Sequence, residues 1–315
     1  MRAPRLIPII AGPTAGGKSA LALELAMRLR ESGVAAELIS ADAYQVYRGL
    51  DIGTAKPSLA ERMGVAHHLV DVAAPRERFT VSDWLRATEV AIADVQSRDG
   101  VPIVVGGTHL YLKNLLDGMF EGPGADDALR TRLAGMETAE LRAELGRIDP
   151  AAADRIHAND TRRTIRAIEV FRLTGIPISA HQRQWTSGAG AVGSRFTLIT
   201  LAWRPEALNP RINARVKTMM ERGLLEETRA LAVAGAFEGP HNQAKEALGY
   251  KQLLSHLAGR DKLDDAIERI KIETRQFAKS QRTWLRRLRT HSGTIVIDAD
   301  AIIENARAEW VAERW

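Results

Sequence analysis

The chain has 315 residues, 45% hydrophobic and 26% charged; this is ordinary globular composition with room for about two domains at ~100–200 residues each, and it excludes general disorder. It has no cysteine, so disulfides, thiolate zinc sites, iron–sulfur clusters and cysteine nucleophiles are excluded. The 44 Lys+Arg against 39 Asp+Glu leave a net charge of +5, an excess that matters only where it clusters, and no apolar run approaches the ~18 residues of a membrane span, so a cytoplasmic location is expected.

Residues 6–11 (LIPIIA) read as a short buried strand ended by Gly12-Pro13. They are too short for a signal-peptide core. A helix follows, with Leu21, Leu25 and Leu29 at four-residue spacing and Gly33 as its stop. Residues 37–40 and 101–105 read as second and third strands. Strands alternating with helices predict an α/β fold with a parallel sheet covered on both faces. Residues 118–126 suit a boundary, residues 128–181 carry helical pattern without a convincing strand, and residues 186–194 (TSGAGAVGS) read as a mobile linker. Strands return at 196–201 and 294–298, separated by helices. The expected organisation is a discontinuous core (1–121 and 196–315) interrupted by a helical insertion (122–195).

Residues 12–19 (Gly12, Pro13, Thr14, Ala15, Gly16, Gly17, Lys18, Ser19) fit G-x-x-x-x-G-K-[ST] between a strand and a helix. Backbone N–H groups of such a loop converge on phosphate oxygens, and the helix N-terminus adds positive potential. Lys18 supplies a point charge and the Ser19 hydroxyl a ligand for Mg²⁺. Nucleotide hydrolysis usually adds an apolar strand ending in Asp. The third strand ends instead in Gly106-Gly107, and Asp298, after a strand at the far end of the chain, reads as a cap.

Asp42 follows the second strand, so it belongs at the carboxyl edge of the sheet, where ligands bind. Position alone leaves open a metal ligand, a proton acceptor or a helix cap. Gln45 carries a donor and an acceptor suited to a base edge. His67 and His68 are adjacent, so their side chains diverge, which argues against a metal pair.

Six segments in order resemble tRNA dimethylallyltransferases: GPTAGGKS (12–19), DAYQVYRGLDIGTAK (42–56), GGTHLY (106–111), NDTRRTIRAIEV (159–170), Gly249-Tyr250 and KSQRTWL (279–285). The resemblance implies a P-loop NTPase-like parallel sheet core with an inserted helical tRNA-binding domain. It implies transfer of a dimethylallyl group from dimethylallyl diphosphate to N6 of adenosine 37, in tRNAs reading codons that begin with U. The phosphate loop then binds the diphosphate of the prenyl donor rather than ATP. Asp42 is implied as general base, Thr14 as a partner of the bridging oxygen and Arg204 as a second cation at the diphosphate. Asp42, Ala43, Tyr44, Gln45, Thr108 and Arg130 are implied to contact tRNA. Three positions depart from the family pattern: Ala43 for Ser, His109 for Gly and Ser280 for Arg.

The residues add an RNA surface. Arg275, Lys279, Arg282, Arg286 and Arg289 fall at steps of 4, 3, 4 and 3, on one expected helix face, while Ile270, Phe277, Trp284 and Leu288 form an expected core stripe. Arg162, Arg163 and Arg166 make a second cluster in the insertion. The expected partners are tRNA, dimethylallyl diphosphate and Mg²⁺, with no membrane and no zinc, and the expected state is a monomer. Three other readings remain: a prenyltransferase of free adenine nucleotides, a small-molecule P-loop kinase, and a non-catalytic RNA-binding protein.

Overall fold

The computed structural model describes residues 6–118, 122–182, 195–239, 242–291 and 293–299; the linker expected at 186–194 lies outside them. The chain divides into two compact units, Met1–Leu116 with Ala191–Trp315, and Asp117–Gly190.

The larger unit is built on six parallel strands: β1 (Ile7–Ala11), β2 (Ala36–Ala41), β3 (His67–His68), β4 (Val101–Gly106), β5 (Phe196–Ala202) and β6 (Ile295–Asp298), in the order β3-β2-β4-β1-β5-β6. Every residue of β1 and β4 is buried, because both faces of the sheet are covered. That is why these strands read as continuous apolar runs rather than alternating ones. On one face α1 (Lys18–Glu31) places Leu21, Leu25 and Leu29 on Ile10, Leu38, Ile103 and Ile199. On the other, α2 (Val81–Ser97), α3 (His109–Asp117) and the end of a later helix place Trp84, Ile92, Leu112, Leu285 and Leu288 on Ile9, Ile39, Val104 and Leu198. Each such side chain contributes about 1.5–3 kcal/mol when fully buried.

A third cluster joins residues 46–50 to the helices α9 (Pro205–Glu221), α10 (Leu224–Val233), α11 (Tyr250–Leu257) and α12 (Leu263–Leu288). The buried seam of α12 is Ala266, Ile270, Ala278, Gln281, Leu285 and Leu288. This corrects the expected core stripe. Phe277 is 39% exposed and Trp284 is half-buried. Each lies one residue, about 100°, off the seam running through Ala278 and Leu285. The expected cationic face changes too. Arg289 turns inward, donating to Thr200 Oγ1 (3.2 Å) and Leu201 O (3.4 Å), and Arg275 donates to Asn213 Oδ1 (2.6 Å).

The smaller unit holds α4 (Asp127–Ala134), α5 (Thr138–Ile148), α6 (Pro150–Arg155), α7 (Thr161–Thr174) and α8 (Ile178–His181), with no strand among its described residues. Leu129, Leu133, Leu141, Leu145, Ile168 and Val170 form its core. Asp126, Asp149 and Asp160 cap α4, α6 and α7 through the backbone N–H groups of Leu129, Ala152 and Arg163. Glu169 is fully buried and receives Arg130 (2.9 Å), Arg166 (2.6 Å) and the Asp126 N–H (2.8 Å). Burial raises its pKa, but these donors outweigh burial and hold it below the usual carboxylate value.

A depressed folded-state pKa stabilises above the unfolded value and is lost as pH falls through the folded one. The smaller unit is therefore expected to lose stability as pH drops below about 4.5, the ordinary glutamate value. Glu169→Ala, which strands two arginines, is expected to cost about 3 kcal/mol and to flatten that dependence. Thermal unfolding between pH 3.5 and 7 measures both, and an unchanged melting profile in the variant would refute the assignment.

Candidate active site

The phosphate loop leaves β1 at the carboxyl edge of the sheet and runs into α1. Ala15 (φ 58°) and Gly17 (φ 82°) are left-handed, which reverses the direction of successive peptides. The carbonyls exposed by this are held from outside: Ala15 O by Arg211 Nε (3.0 Å) and Gly16 O by Trp203 Nε1 (3.0 Å). Pro13 O accepts the Gly16 N–H (3.1 Å) and Lys18 Nζ (3.4 Å). The Thr14 N–H donates to Gln281 Oε1 (2.8 Å). The N–H groups of Ala15, Gly17, Lys18 and Ser19 have no acceptor among the described residues. They are the donors left for an anion at the N-terminus of α1.

Beside the loop lies a cleft of about 790 Å³ lined by Thr14, Asp42, Tyr44, Arg215, Ser280 and an apolar wall that includes Ile212, Val216, Met219 and Phe277. Burial, and then the charge of Arg215, lower the Lys18 pKa to about 8, against an opposing pull from Asp42. Burial likewise lowers the Arg215 pKa, and Asp42 opposes it. Two desolvated cations and one carboxylate therefore share the site.

Asp42 acts both as cap and as cleft residue. Its Oδ1 accepts the N–H groups of Tyr44 (2.9 Å) and Gln45 (3.3 Å), while Oδ2 has no hydrogen bond among the described residues. Ala43 N–H donates to Thr108 Oγ1 (3.0 Å). Gln45 faces inward: Nε2 donates to Thr54 O (3.3 Å) and Oε1 accepts from Ser40 Oγ (3.0 Å). Both ends of the amide expected at a base edge are thus bonded inside the protein. The same stretch is braced by Glu227, which accepts from the N–H groups of Ile52 (2.9 Å) and Gly53 (3.4 Å) and from Tyr250 Oη (2.5 Å).

A second cavity, about 340 Å³, is lined by Trp203, Arg204, Lys279, Arg282, Arg286, Arg289 and Asp298. Arg204 is placed here, not in the cleft with Thr14; the cation beside Lys18 and Asp42 is Arg215. Arg282 Nε is buried without a partner, and no carboxylate pairs with Lys279, Arg282 or Arg286 among the described residues. The wall therefore carries more cations than carboxylates, with Asp298 the one acid among the described residues of its lining.

The sequence profile of the IPP transferase family matches residues 45–288. The chain belongs to this family. It is similar to the tRNA dimethylallyltransferase of Geobacter metallireducens, at 44% identity over 89% of each chain, and to tRNA dimethylallyltransferase 1 of Trichlorobacter lovleyi, at 41% over 98% of this chain and 99% of that one. Among solved structures it resembles the full-length tRNA isopentenylpyrophosphate transferase of Bacillus halodurans (34% identity, TM-score 0.68, covering 98% and 96%). It also resembles a eukaryotic dimethylallyltransferase captured acting on tRNA (31% identity, TM-score 0.81, covering 98% of this chain and 77% of that one).

In this IPP transferase chain the insertion arginines divide into two kinds. Arg130 and Arg166 are tied to Glu169. Arg162 and Arg163 are exposed, with Arg163 3.4 Å from Asp160. Sequence reasoning missed Arg215, although Arg211 and Arg215 are spaced i, i+4 on α9 and so share a face. It also missed Glu227, and it quoted Gln281 only as part of a motif. His67 and His68 bond Val65 O and Glu37 respectively.

Arg215 lowers the Lys18 pKa, so its removal must raise it. Lysine acylation followed by mass spectrometry across pH 6–11 is expected to give a Lys18 midpoint near 8, shifted upward in Arg215→Gln. A midpoint at the ordinary lysine value in the unmodified chain would refute the electrostatic coupling.

Proposed function

We propose that this chain transfers the dimethylallyl group of dimethylallyl diphosphate to N6 of adenosine 37 in tRNAs reading codons that begin with U, acting as a monomer. The observation that carries the reading is one cleft containing Thr14, Arg215 and Asp42 beside an open phosphate loop. The allylic C1–O bond breaks, the diphosphate departs with the electron pair, and N6 forms the new C–N bond. Positive charge grows on the allylic carbon and negative charge on the leaving oxygen. Lys18, Arg215 and the loop N–H groups face that oxygen's side of the reaction. Thr14 donates to the bridging oxygen. The apolar wall of Ile212, Val216, Met219 and Phe277 suits the prenyl chain.

Adenine N6 is a poor nucleophile because its lone pair is delocalised into the ring. Asp42 Oδ2 accepts an N6 hydrogen as the C–N bond forms, localising that pair. The target base leaves its stack to reach this carboxylate. Mg²⁺ fits at Ser19, whose hydroxyl is exposed at the start of α1 and has no partner among the described residues. When bound, it supplies charge neutralisation for the diphosphate.

The excess of cations in the second cavity, with exposed Arg162 and Arg163, favours a polynucleotide over a free adenine nucleotide. Incubation with dimethylallyl diphosphate, Mg²⁺ and either tRNA, AMP or ATP is expected to add one prenyl unit to tRNA alone, read by mass. Modification of AMP, or phosphate release from ATP, would favour the competing readings.

Asp42→Asn keeps the acceptor that caps residues 44 and 45 but removes the base. Its turnover is expected to fall ~10²–10⁴-fold with tRNA affinity within a few-fold. Near-normal turnover would leave Asp42 as a cap only.

Lys279→Glu, Arg282→Glu and Arg286→Glu together are expected to weaken tRNA binding and flatten its salt dependence, by roughly 1 in slope per lost phosphate contact. Affinity for the prenyl donor is expected to hold. Titrations at several salt concentrations decide this, and an unchanged slope would assign the cavity wall to solvent.

A further inference from the structure

Gln281 is 4% exposed and lies in the apolar seam of α12 between Ala278 and Leu285. A buried primary amide there is unfavourable unless both of its ends are bonded. Both are. Oε1 accepts the Thr14 N–H at 2.8 Å, and Nε2 donates to Gly107 O at 3.0 Å. Gly107 is shaped to admit the amide, since a Cβ there would lie 2.5 Å from Gln281 Nε2 and 3.0 Å from Gly12 O. The next residue, Thr108, accepts the Ala43 N–H at 3.0 Å, and Ala43 is joined directly to Asp42. An unbroken frame thus runs from Thr14 through Gln281, Gly107, Thr108 and Ala43 to Asp42. The two ends of that frame are the groups on opposite sides of the reacting carbon.

We propose that Gln281 is a positioning residue that sets the spacing between Thr14 at the leaving oxygen and Asp42 at the attacking amine. This rests on the reading of Thr14 and Asp42 given above. In a displacement, nucleophile and leaving group must be held in line, and a misplacement near 1 Å costs on the order of 10²-fold in rate. Each end of the Gln281 amide is bonded to backbone, and Gln281 is not among the residues lining the cleft, so its role runs through Thr14 and Gly107. Its effect is therefore on turnover rather than on donor affinity. The loop N–H groups of Ala15, Gly17, Lys18 and Ser19 make no hydrogen bond to it.

The test compares Gln281→Met, which has similar bulk and no hydrogen bonds, with Gln281→Glu, which keeps the acceptor for Thr14 but loses the donor to Gly107. Both are expected to lower kcat by ~10–100-fold, with KM for dimethylallyl diphosphate within about threefold. The melting temperature of each variant is measured alongside; if Gln281→Met fails to fold, Gln281→Glu is read the same way. A cycle with Thr14→Ala supplies the second criterion. If Gln281 acts through Thr14, the double variant is no more than about threefold slower than Thr14→Ala alone. Losses that multiply, a change confined to KM, or unchanged kcat in both variants would each overturn the proposal. Failure of the underlying reading looks different: Thr14→Ala and Asp42→Asn would then turn over near-normally themselves. If those two are slow while Gln281→Met is not, only the positioning role falls.

Discussion

Lys18 and Arg215 are like charges held together in a desolvated site, and much of the larger unit can be understood as the means of keeping them there. Burial and mutual repulsion both disfavour the charged forms, which is why the Lys18 pKa falls to about 8. Asp42 offsets part of that repulsion but not all of it. A bound anion, such as the diphosphate proposed above, opposes that repulsion, so part of the cost of holding two cations together becomes affinity for the anion. Such an arrangement survives only on a stiff support. Leu208, Ile212 and Ala278 pack α9 onto α12, with Ala15 and Trp203 against them, and Arg211 on the same helix holds the loop carbonyl of Ala15. The helix that brings the second cation therefore also shapes the loop that carries the first.

The carboxylate side has its own support. Lys56 is buried and reaches Tyr47 O (2.8 Å), Asp51 (2.6 Å) and Asp71 (2.5 Å). Glu227 gathers the N–H groups of residues 51–53 with the Tyr250 hydroxyl, and Gln45 pins residues 54 and 55. Only the Lys56 end is buried; Asp51 and Asp71 are exposed, so solvent screens the pairs and the cluster acts mainly by fixing where this segment runs. These side chains touch no reacting atom, yet they fix the turn from which Asp42 projects. A carboxylate held on such a scaffold has little orientational freedom left to lose.

The strands were legible in the sequence because a parallel sheet covered on both faces leaves uninterrupted apolar runs, and the phosphate loop because its glycines, Lys18 and Ser19 fall at the motif's spacing between a strand and a helix. What failed was the assignment of faces and long-range partners. Phe277 and Trp284 looked like core by residue type, but the seam is set by Ala278 and Leu285, one position away. Arg289 continued the cationic spacing in sequence and yet faces β5, because the helix ends there and the side chain meets the Thr200 hydroxyl. Arg204 and Arg215 both follow β5, and only the folded path of α9 decides which one reaches Lys18. Gln45 and Gln281 exchanged importance for the same reason. An amide's value lies in the groups that face it, and those are 174 and 267 residues away for Gln281.

Helix α12 is where these constraints meet. It begins with Asp264 and Asp265 and ends with Arg286 and Arg287, so its charges oppose its own dipole at both ends and stabilise 26 residues as one rod. Along that rod Ile270 and Phe277 wall the cleft, Gln281 clamps the phosphate loop, Lys279, Arg282 and Arg286 line the basic cavity, and Leu285 and Leu288 anchor the sheet. The periodicity of a helix allows this because residues at different angles face different neighbours at no added length. It also binds the functions together. A polyanion drawing on Arg282 pulls on the same turn that carries Gln281, one residue before it. The cations of the basic cavity and the amide that holds the phosphate loop are thus carried by successive residues of one helix.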